Sequence, residues 1–266
     1  MRKKIAKAGR HRFFKLKIVR VLLWCLLAVF LFFCVQMVAY RFVSPPYTWL
    51  MLERKFLPDP GKEIEGIRHT SVEMEDISKS MVFAVMASED QGFLEHNGLD
   101  LEAIEKAIKH NKNHKRKRGA STISQQTAKN AFLWETRSWV RKGLEIPFTL
   151  GIEGLWGKRR ILEVYLNIAE FGPGVFGVEA ASQYWFHVSA KRLSQRQAAL
   201  LAACLPAPRK FNPRNPSAFV SRRADWIEQQ MEFMDQGLAL EELGLKQKKP
   251  PAKQGASKKK ADNSRN

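Results

Sequence analysis

The residues best equipped for chemistry lie between Ala87 and Glu145. Glu89-Asp90-Gln91-Gly92-Phe93-Leu94-Glu95-His96-Asn97-Gly98 comes first, then Gly119-Ala120-Ser121-Thr122-Ile123-Ser124-Gln125-Gln126-Thr127-Ala128-Lys129-Asn130, then Arg141-Lys142-Gly143-Leu144-Glu145. Two acids, Glu89 and Glu145, bracket a glycine-led segment rich in hydroxyl, amide and ammonium groups. A carboxylate can take a proton from a sugar hydroxyl, and cations can absorb the charge of a departing phosphate. The composition suits a sugar bearing a phosphate leaving group.

The elements that must hold these residues read as helices. Ile77, Met81, Val82, Val85 and Met86 have helical spacing from Met74 onward, which puts Glu89 and Asp90 at the C-terminal end of an amphipathic helix. Acids are disfavoured there by the helix dipole, so either they are a solvated terminus or something else holds them. Asp100 can cap a second helix with Leu101, Ile104 and Ile108 on one face. Lys109, Lys112, Lys115, Arg116, Lys117 and Arg118 follow, a run expected to form a solvated loop that would attract anionic head groups or a pyrophosphate beside a membrane. Thr122 to Gln125 matches a capping box, which starts a helix carrying Gln125, Gln126, Lys129 and Asn130. A helix over 138 to 156 is expected to kink at Pro147, and 158 to 169 shows a core stripe of Ile161, Leu162, Tyr165, Leu166 and Ala169. A short helix from Gly177 to Phe186, a second capping box at Ser194 to Gln197 opening a buried helix to Leu205, and an amphipathic helix from Ser217 to Met234 with Trp226, Ile227 and Met231 inward complete the set. No alternating strands, internal repeat, Walker loop or dinucleotide fingerprint is present, so the fold class is all-α, or mainly α.

Charge and hydropathy set the organisation. The net charge of +19 would suggest nucleic acid, but residues 1 to 20 hold nine basic residues and no acid, and residues 245 to 266 hold eight basic residues and one acid. The middle is therefore only about +3, with no recognition motif, and no nucleic-acid partner is expected. Residues 21 to 40 are twenty uncharged residues dominated by Leu, Val, Phe and Ala, enough to span a hydrocarbon core, and no small-x-small cleavage site follows. The organisation expected is a basic cytoplasmic segment (1–20), one transmembrane helix (21–40), one catalytic domain (45–235) on the far side of the membrane, and a disordered basic tail (236–266). Cys25 and Cys34 lie in the apolar run, leaving Cys204 alone in the globular part with no disulfide partner there and no zinc-like Cys/His spacing.

The ordered segments resemble the monofunctional biosynthetic peptidoglycan transglycosylases, the family of the lipid II-polymerising module of bifunctional penicillin-binding proteins. The resemblance covers about Glu53 to Phe219. It rests on Glu89 to Gly98, Gly119 to Asn130, Arg141 to Glu145, Lys158 to Asn167 with Gly172 and Gly177 beyond, and Ala198 to Pro213. Each motif is weak alone; five in order over about 125 residues are specific. Gly92 stands where the family usually carries a larger residue, His187-Val188 where it tends to have Gly-Lys, and Pro147 is unusual.

That resemblance implies a lysozyme-like glycosyltransferase domain with a small membrane-proximal jaw around Leu99 to Arg118. It implies an enzyme that polymerises lipid II into β-1,4-linked glycan in cell-wall biosynthesis, releasing undecaprenyl pyrophosphate, anchored in the bacterial inner membrane with its catalytic domain periplasmic. Glu89 would be the general base; Lys129 and Arg137 would neutralise the pyrophosphate, with Glu145 orienting that cluster or holding a divalent ion. Ser121, Thr122, Gln125, Gln126 and Asn130 would position sugars and phosphates, and Asp90 and His96 would support from behind. Arg141 and Lys142 are left between substrate contact and pairing with helix acids. No cofactor is obligatory, Mg²⁺ or Mn²⁺ being left open. The partners are lipid II, the growing strand and the membrane, with division or elongation proteins as further candidates. A lysozyme-like lytic enzyme and a non-catalytic membrane-anchored scaffold are the competing readings; Lys129 and Arg137 favour synthesis over lysis, and the two retained acids argue against a scaffold.

Overall fold

The structure is a computed structural model. It describes residues 2–57, 64, 66–114, 119–136 and 138–245, with the side chains of 2–16 left aside. It is 66% helical with 3% strand, in agreement with the mainly-α expectation. The helices are α1 (Arg2–Tyr40), α2 (Trp49–Phe56), α3 (Lys79–Glu89), α4 (Leu101–Asn113), α5 (Ile123–Phe132), α6 (Trp139–Ile168), α7 (Val178–Phe186), α8 (Gln195–Cys204), α9 (Ala218–Phe233) and α10 (Gln236–Glu242). A small sheet of β1 (Arg68–His69), β2 (Glu170–Gly172) and β3 (Val175–Phe176) has the order β1-β3-β2, with β1 parallel and β2 antiparallel to β3.

Side-chain caps start most of these helices, because the first N–H groups of a helix lack intrahelical partners. Ser78, Asp100, Thr122, Ser138, Ser194, Ser217 and Asp235 each accept from a backbone N–H in the first turn. The expected boxes at Thr122/Gln125 and Ser194/Gln197 are both complete.

α3 is the helix around which the domain is packed. Met81 to Ala87 are all buried, so it is a core helix enclosed by α8 and α9, not the amphipathic one expected from Met74. The chain over Met74–Asp76 is a 3₁₀ turn, and α3 proper begins after Ser78. Burying each large apolar side chain contributes about 1.5–3 kcal/mol, which fixes the helix end bearing Glu89 and Asp90. α5 lies along α6, which carries Glu145 near its start and the core stripe Ile161, Leu162, Tyr165 and Leu166 near its end.

Several expectations are corrected. α6 stays helical through Pro147, and its non-helical residue is Gly157, at φ 74°, where an L side chain is strained. Lys109 and Lys112 belong to α4 rather than to a loop, while 115–118 lie outside the described residues. Trp226 is 43% exposed, whereas Ile227 and Met231 do point inward. α10 occupies part of the stretch assigned to a tail, with Ala239 and Leu243 in the core, so the folded unit reaches at least Leu245; residues 246–266 are outside the description. α2 falls in a stretch with no legible pattern, and Arg68–His69 forms the short strand β1.

α1 contains one stretch, Lys17–Tyr40, long and apolar enough to cross a membrane. Its C-terminal end docks on α6. Phe33 packs edge-on against Phe148 at 5.1 Å, Trp156 Nε1 donates to the Met37 carbonyl at 2.8 Å, and Arg160 Nε donates to the Tyr40 carbonyl at 3.0 Å.

Candidate active site

Glu89 ends α3 with both carboxylate oxygens facing donors. Gln126 Nε2 donates to Oε2 at 3.0 Å, Ser88 Oγ donates to Oε1 at 3.1 Å, and Arg223 lies 3.5 Å from Oε1. Donors thus hold the carboxylate in place at a helix end where the dipole disfavours it. Gln126 is oriented in turn by Tyr165, whose hydroxyl donates to Oε1 at 3.4 Å; burial, with the fields of Glu89 and Asp90, pushes that phenol's pKa well up, so it serves as a donor. Arg223, on α9, was missed by sequence reasoning. It donates to Ser88 Oγ at 3.0 Å, and its Nε is buried without a partner among the described residues.

Asp90 and His96 form a brace behind the acid. Gly98 N–H donates to His96 Nδ1 at 3.1 Å, so the ring proton sits on Nε2, which faces Asp90 Oδ1 at 2.9 Å and Oδ2 at 3.1 Å. Asp90 Oδ2 also accepts from Ile123 N–H at 2.9 Å, tying the end of α3 to the start of α5. Thr122 Oγ1 donates to the Gly98 carbonyl at 2.6 Å. Gly98 has φ 89°, and a Cβ there would lie 2.8 Å from Thr149 Cγ2, so only glycine fits. Lys158 closes the brace by donating to the His96 carbonyl and to Glu153, which also accepts from Ser124.

Two cavities meet at this point. The first, of about 810 Å³, is lined by Glu89, Asp90, Gly92, Gly119 to Thr122, Gln126, Pro206, Arg223 and Trp226. The second, of about 430 Å³, is lined by Gln126, Lys129, Asn130, Arg141, Arg209 and Lys210, with Arg54, Glu135 and Glu170 in the same wall. Gln126 and Pro206 line both, so the acid and the cations open on neighbouring spaces. Gly92 is an open position, where a Cβ would meet nothing closer than 3.7 Å.

Burial pushes the Lys129 ammonium below the ordinary lysine pKa of 10.5, with Glu145 pulling back and Arg141 and Lys142 adding to the fall. An underneutralised cation beside Arg141 is poised for an anion. Asn130 adds a buried Oδ1 with no partner among the described residues. Glu145 is 3% exposed, and Arg141 donates to its Oε2 at 2.9 Å while Lys142 donates to its Oε1 at 2.5 Å. With both oxygens paired and Lys129 nearby, this donor set suits an ion-pair cluster and does not fit a divalent cation. The described residues hold no group of three or more His, Cys, Asp or Glu able to take a metal.

The structure brings Glu89, Asp90, His96, Ser121, Gln126, Lys129, Asn130 and Glu145 to these walls or directly behind them. Thr122 lines the first cavity and Gln125 lines neither, and the side chains of both are engaged at the start of α5. The Thr122 hydroxyl accepts from Gln125 N–H, and Gln125 Oε1 accepts from Thr122 N–H, so both side chains hold the helix start in place of a substrate. Arg137 lies outside the described residues. Arg141 is a structural partner of Glu145 that also lines the cation cavity.

An acid, Glu89, and a cluster of cations around Lys129 and Arg141 thus open on adjoining cavities of a mainly-α domain, an arrangement suited to group transfer with an anionic leaving group. A family model described as Transglycosylase matches residues 59–232. The chain is 55% identical over 203 residues to the biosynthetic peptidoglycan transglycosylase of Bdellovibrio bacteriovorus, covering 75% of this chain and 81% of that one. It is 52% identical over 213 residues to that of Cronobacter sakazakii and 53% over 214 to that of Salmonella typhi, each time covering 80% of this chain and 88% of the relative. The chain belongs to the transglycosylase family, and it is a glycosyltransferase of peptidoglycan synthesis.

Proposed function

We propose that the enzyme polymerises lipid II, with the acceptor sugar in the cavity beside Glu89 and the donor's pyrophosphate in the cavity beside Lys129. The observation that carries this reading is the junction at Gln126, which bonds Glu89 and lines both spaces. Glu89 takes the proton of the acceptor 4-hydroxyl as that oxygen bonds the donor's anomeric carbon, and the bond from that carbon to the pyrophosphate oxygen breaks on the opposite face. Lys129 and Arg141 receive the charge that develops on the leaving group. Gln126 and Arg223 hold the base, Ser121 and Asn130 offer polar contacts to the bound groups, and Glu145 holds Arg141 in place. A hydrolase attacking with water would have no need of the cation cluster.

Anchoring by α1 puts the cleft at the membrane where a lipid-linked substrate resides. Trp139 is 92% exposed and Leu101 72%, with Val140, Leu150 and Ile108 also exposed, and α6 lies directly against the anchor. These apolar side chains suit a domain resting on lipid. The nine basic residues before the apolar run support an N-terminus inside and a catalytic domain outside the cytoplasmic membrane.

The test is incubation of the purified full-length protein with labelled lipid II in detergent. Formation of polymer is the expected result; cleavage of preformed glycan with no polymer would overturn the reading.

A further inference from the structure

Two carboxylates stand in the wall of the cation cavity, Glu135 and Glu170, where an incoming pyrophosphate would meet like charge. Both are gripped by one buried arginine of α2. Arg54 Nε donates to Glu170 Oε1 and Oε2 at 3.3 and 3.2 Å, its NH2 donates to Glu170 Oε2 at 3.1 Å and to Glu135 Oε1 at 2.7 Å, and its NH1 donates to Glu135 Oε2. The neighbouring Glu53 accepts from Glu135 N–H at 2.9 Å. The clamped loop leads directly into the cation cluster, for Thr136 accepts from Arg141 Nε at 3.2 Å and Arg141 donates to Glu145.

We propose that Arg54 is a positioning residue for the leaving-group cavity, cancelling the charge of Glu135 and Glu170 so that the wall presented to the pyrophosphate stays cationic. The inference rests on the functional reading above and adds a residue outside every motif that suggested it. Burial raises the Glu170 carboxyl pKa overall, with the hydrogen bonds and charge of Arg54, and then Arg209, pulling against it. Loss of Arg54 alone would leave two acids facing the site, whereas replacing the whole triad by neutral groups would remove the repulsion together with the attraction.

The experiment uses full-length protein, with inorganic pyrophosphate as the probe. Its binding is measured by calorimetry, its inhibition by lipid II polymerisation rates. Arg54→Gln is expected to weaken pyrophosphate binding and raise KM about tenfold, with a smaller effect on kcat. The triple variant Arg54→Gln/Glu135→Gln/Glu170→Gln is expected to return to within about threefold of wild type. A purely structural clamp would lower the thermal midpoint of Arg54→Gln without weakening pyrophosphate binding by the folded protein, so Arg54→Gln that binds like wild type when folded overturns the proposal, as does a triple variant as weak as Arg54→Gln. If Arg54→Gln does not fold, the triple variant decides alone: wild-type affinity supports the proposal and a tenfold loss overturns it. Wild-type protein that binds pyrophosphate but polymerises nothing would sink the functional reading instead.

Discussion

Asp90→Asn puts the brace behind the base under a defined load. The aspartate accepts from two donors, Ile123 N–H and His96 Nε2. An asparagine of the same size has one acceptor and one donor group. If its oxygen stays on Ile123 N–H, its amide faces the His96 Nε2 proton. If His96 moves that proton to Nδ1, the ring then opposes Gly98 N–H, which now donates to Nδ1 at 3.1 Å. Either way one buried donor loses its acceptor, at roughly 1–3 kcal/mol. For a domain of this size each kcal/mol shifts the thermal midpoint by about 2–4 °C, so the midpoint should fall by roughly 2–12 °C. Because the same carboxylate ties α3 to α5, Gln126 would also shift against Glu89, and kcat should drop about tenfold through lost positioning. Thermal unfolding in detergent by circular dichroism and initial polymerisation rates measure both. A midpoint within about 1 °C of wild type together with an unchanged rate would refute the brace.

Four further outcomes are expected. Lys129→Ala should lower the rate by about 10²–10³-fold, since it removes a preorganised cation from the developing charge. The Lys129 pKa is lowered by folding, so its charged form opposes stability at neutral pH and that cost is relieved as pH rises through the folded value towards 10.5. The alkaline limb of kcat/KM should accordingly begin below the ordinary lysine range, and Lys129→Arg should move it upward; a limb unaffected by that change would remove Lys129 from the profile. Arg223→Ala should reduce kcat/KM about 10–10²-fold with Arg223→Lys in between, and wild-type kinetics for both would show that Arg223 does nothing for Glu89. His187→Gly should stabilise the fold by about 1 kcal/mol, because His187 is the one non-glycine residue with positive φ among those described, and a lowered thermal midpoint would contradict that.

The sequence was most informative where physics is local. Thr122/Gln125 and Ser194/Gln197 were readable as caps because the partners lie three residues apart, and Gln126 with Lys129 because a helix puts them on one face. His187 occupies a left-handed C-cap of α7, a position that glycine fills without strain. Contacts between distant segments left no such trace. Arg54 meets Glu135 and Glu170 across 81 and 116 residues, and Arg223 reaches Ser88 across 135. Pro147 misled because a proline removes one hydrogen bond without having to end a helix that tertiary packing, here against α5, holds in place. α10 did carry a signal, Asp235 as a cap ahead of spaced Leu238 and Leu243, which the basic composition beyond Leu245 obscured.

The proposed mechanism needs Glu89 as the base that deprotonates the acceptor. Glu89→Gln keeps the size and the contacts to Ser88 and Gln126 within reach but cannot take up the proton. Initial rates of lipid II polymerisation, measured on folded protein whose thermal midpoint is close to wild type, should fall by about 10²–10⁴-fold. Glu145→Gln should also lose activity, through Arg141 and Lys142, with a larger share of the loss in KM. Near-normal polymerisation by Glu89→Gln would contradict the central claim.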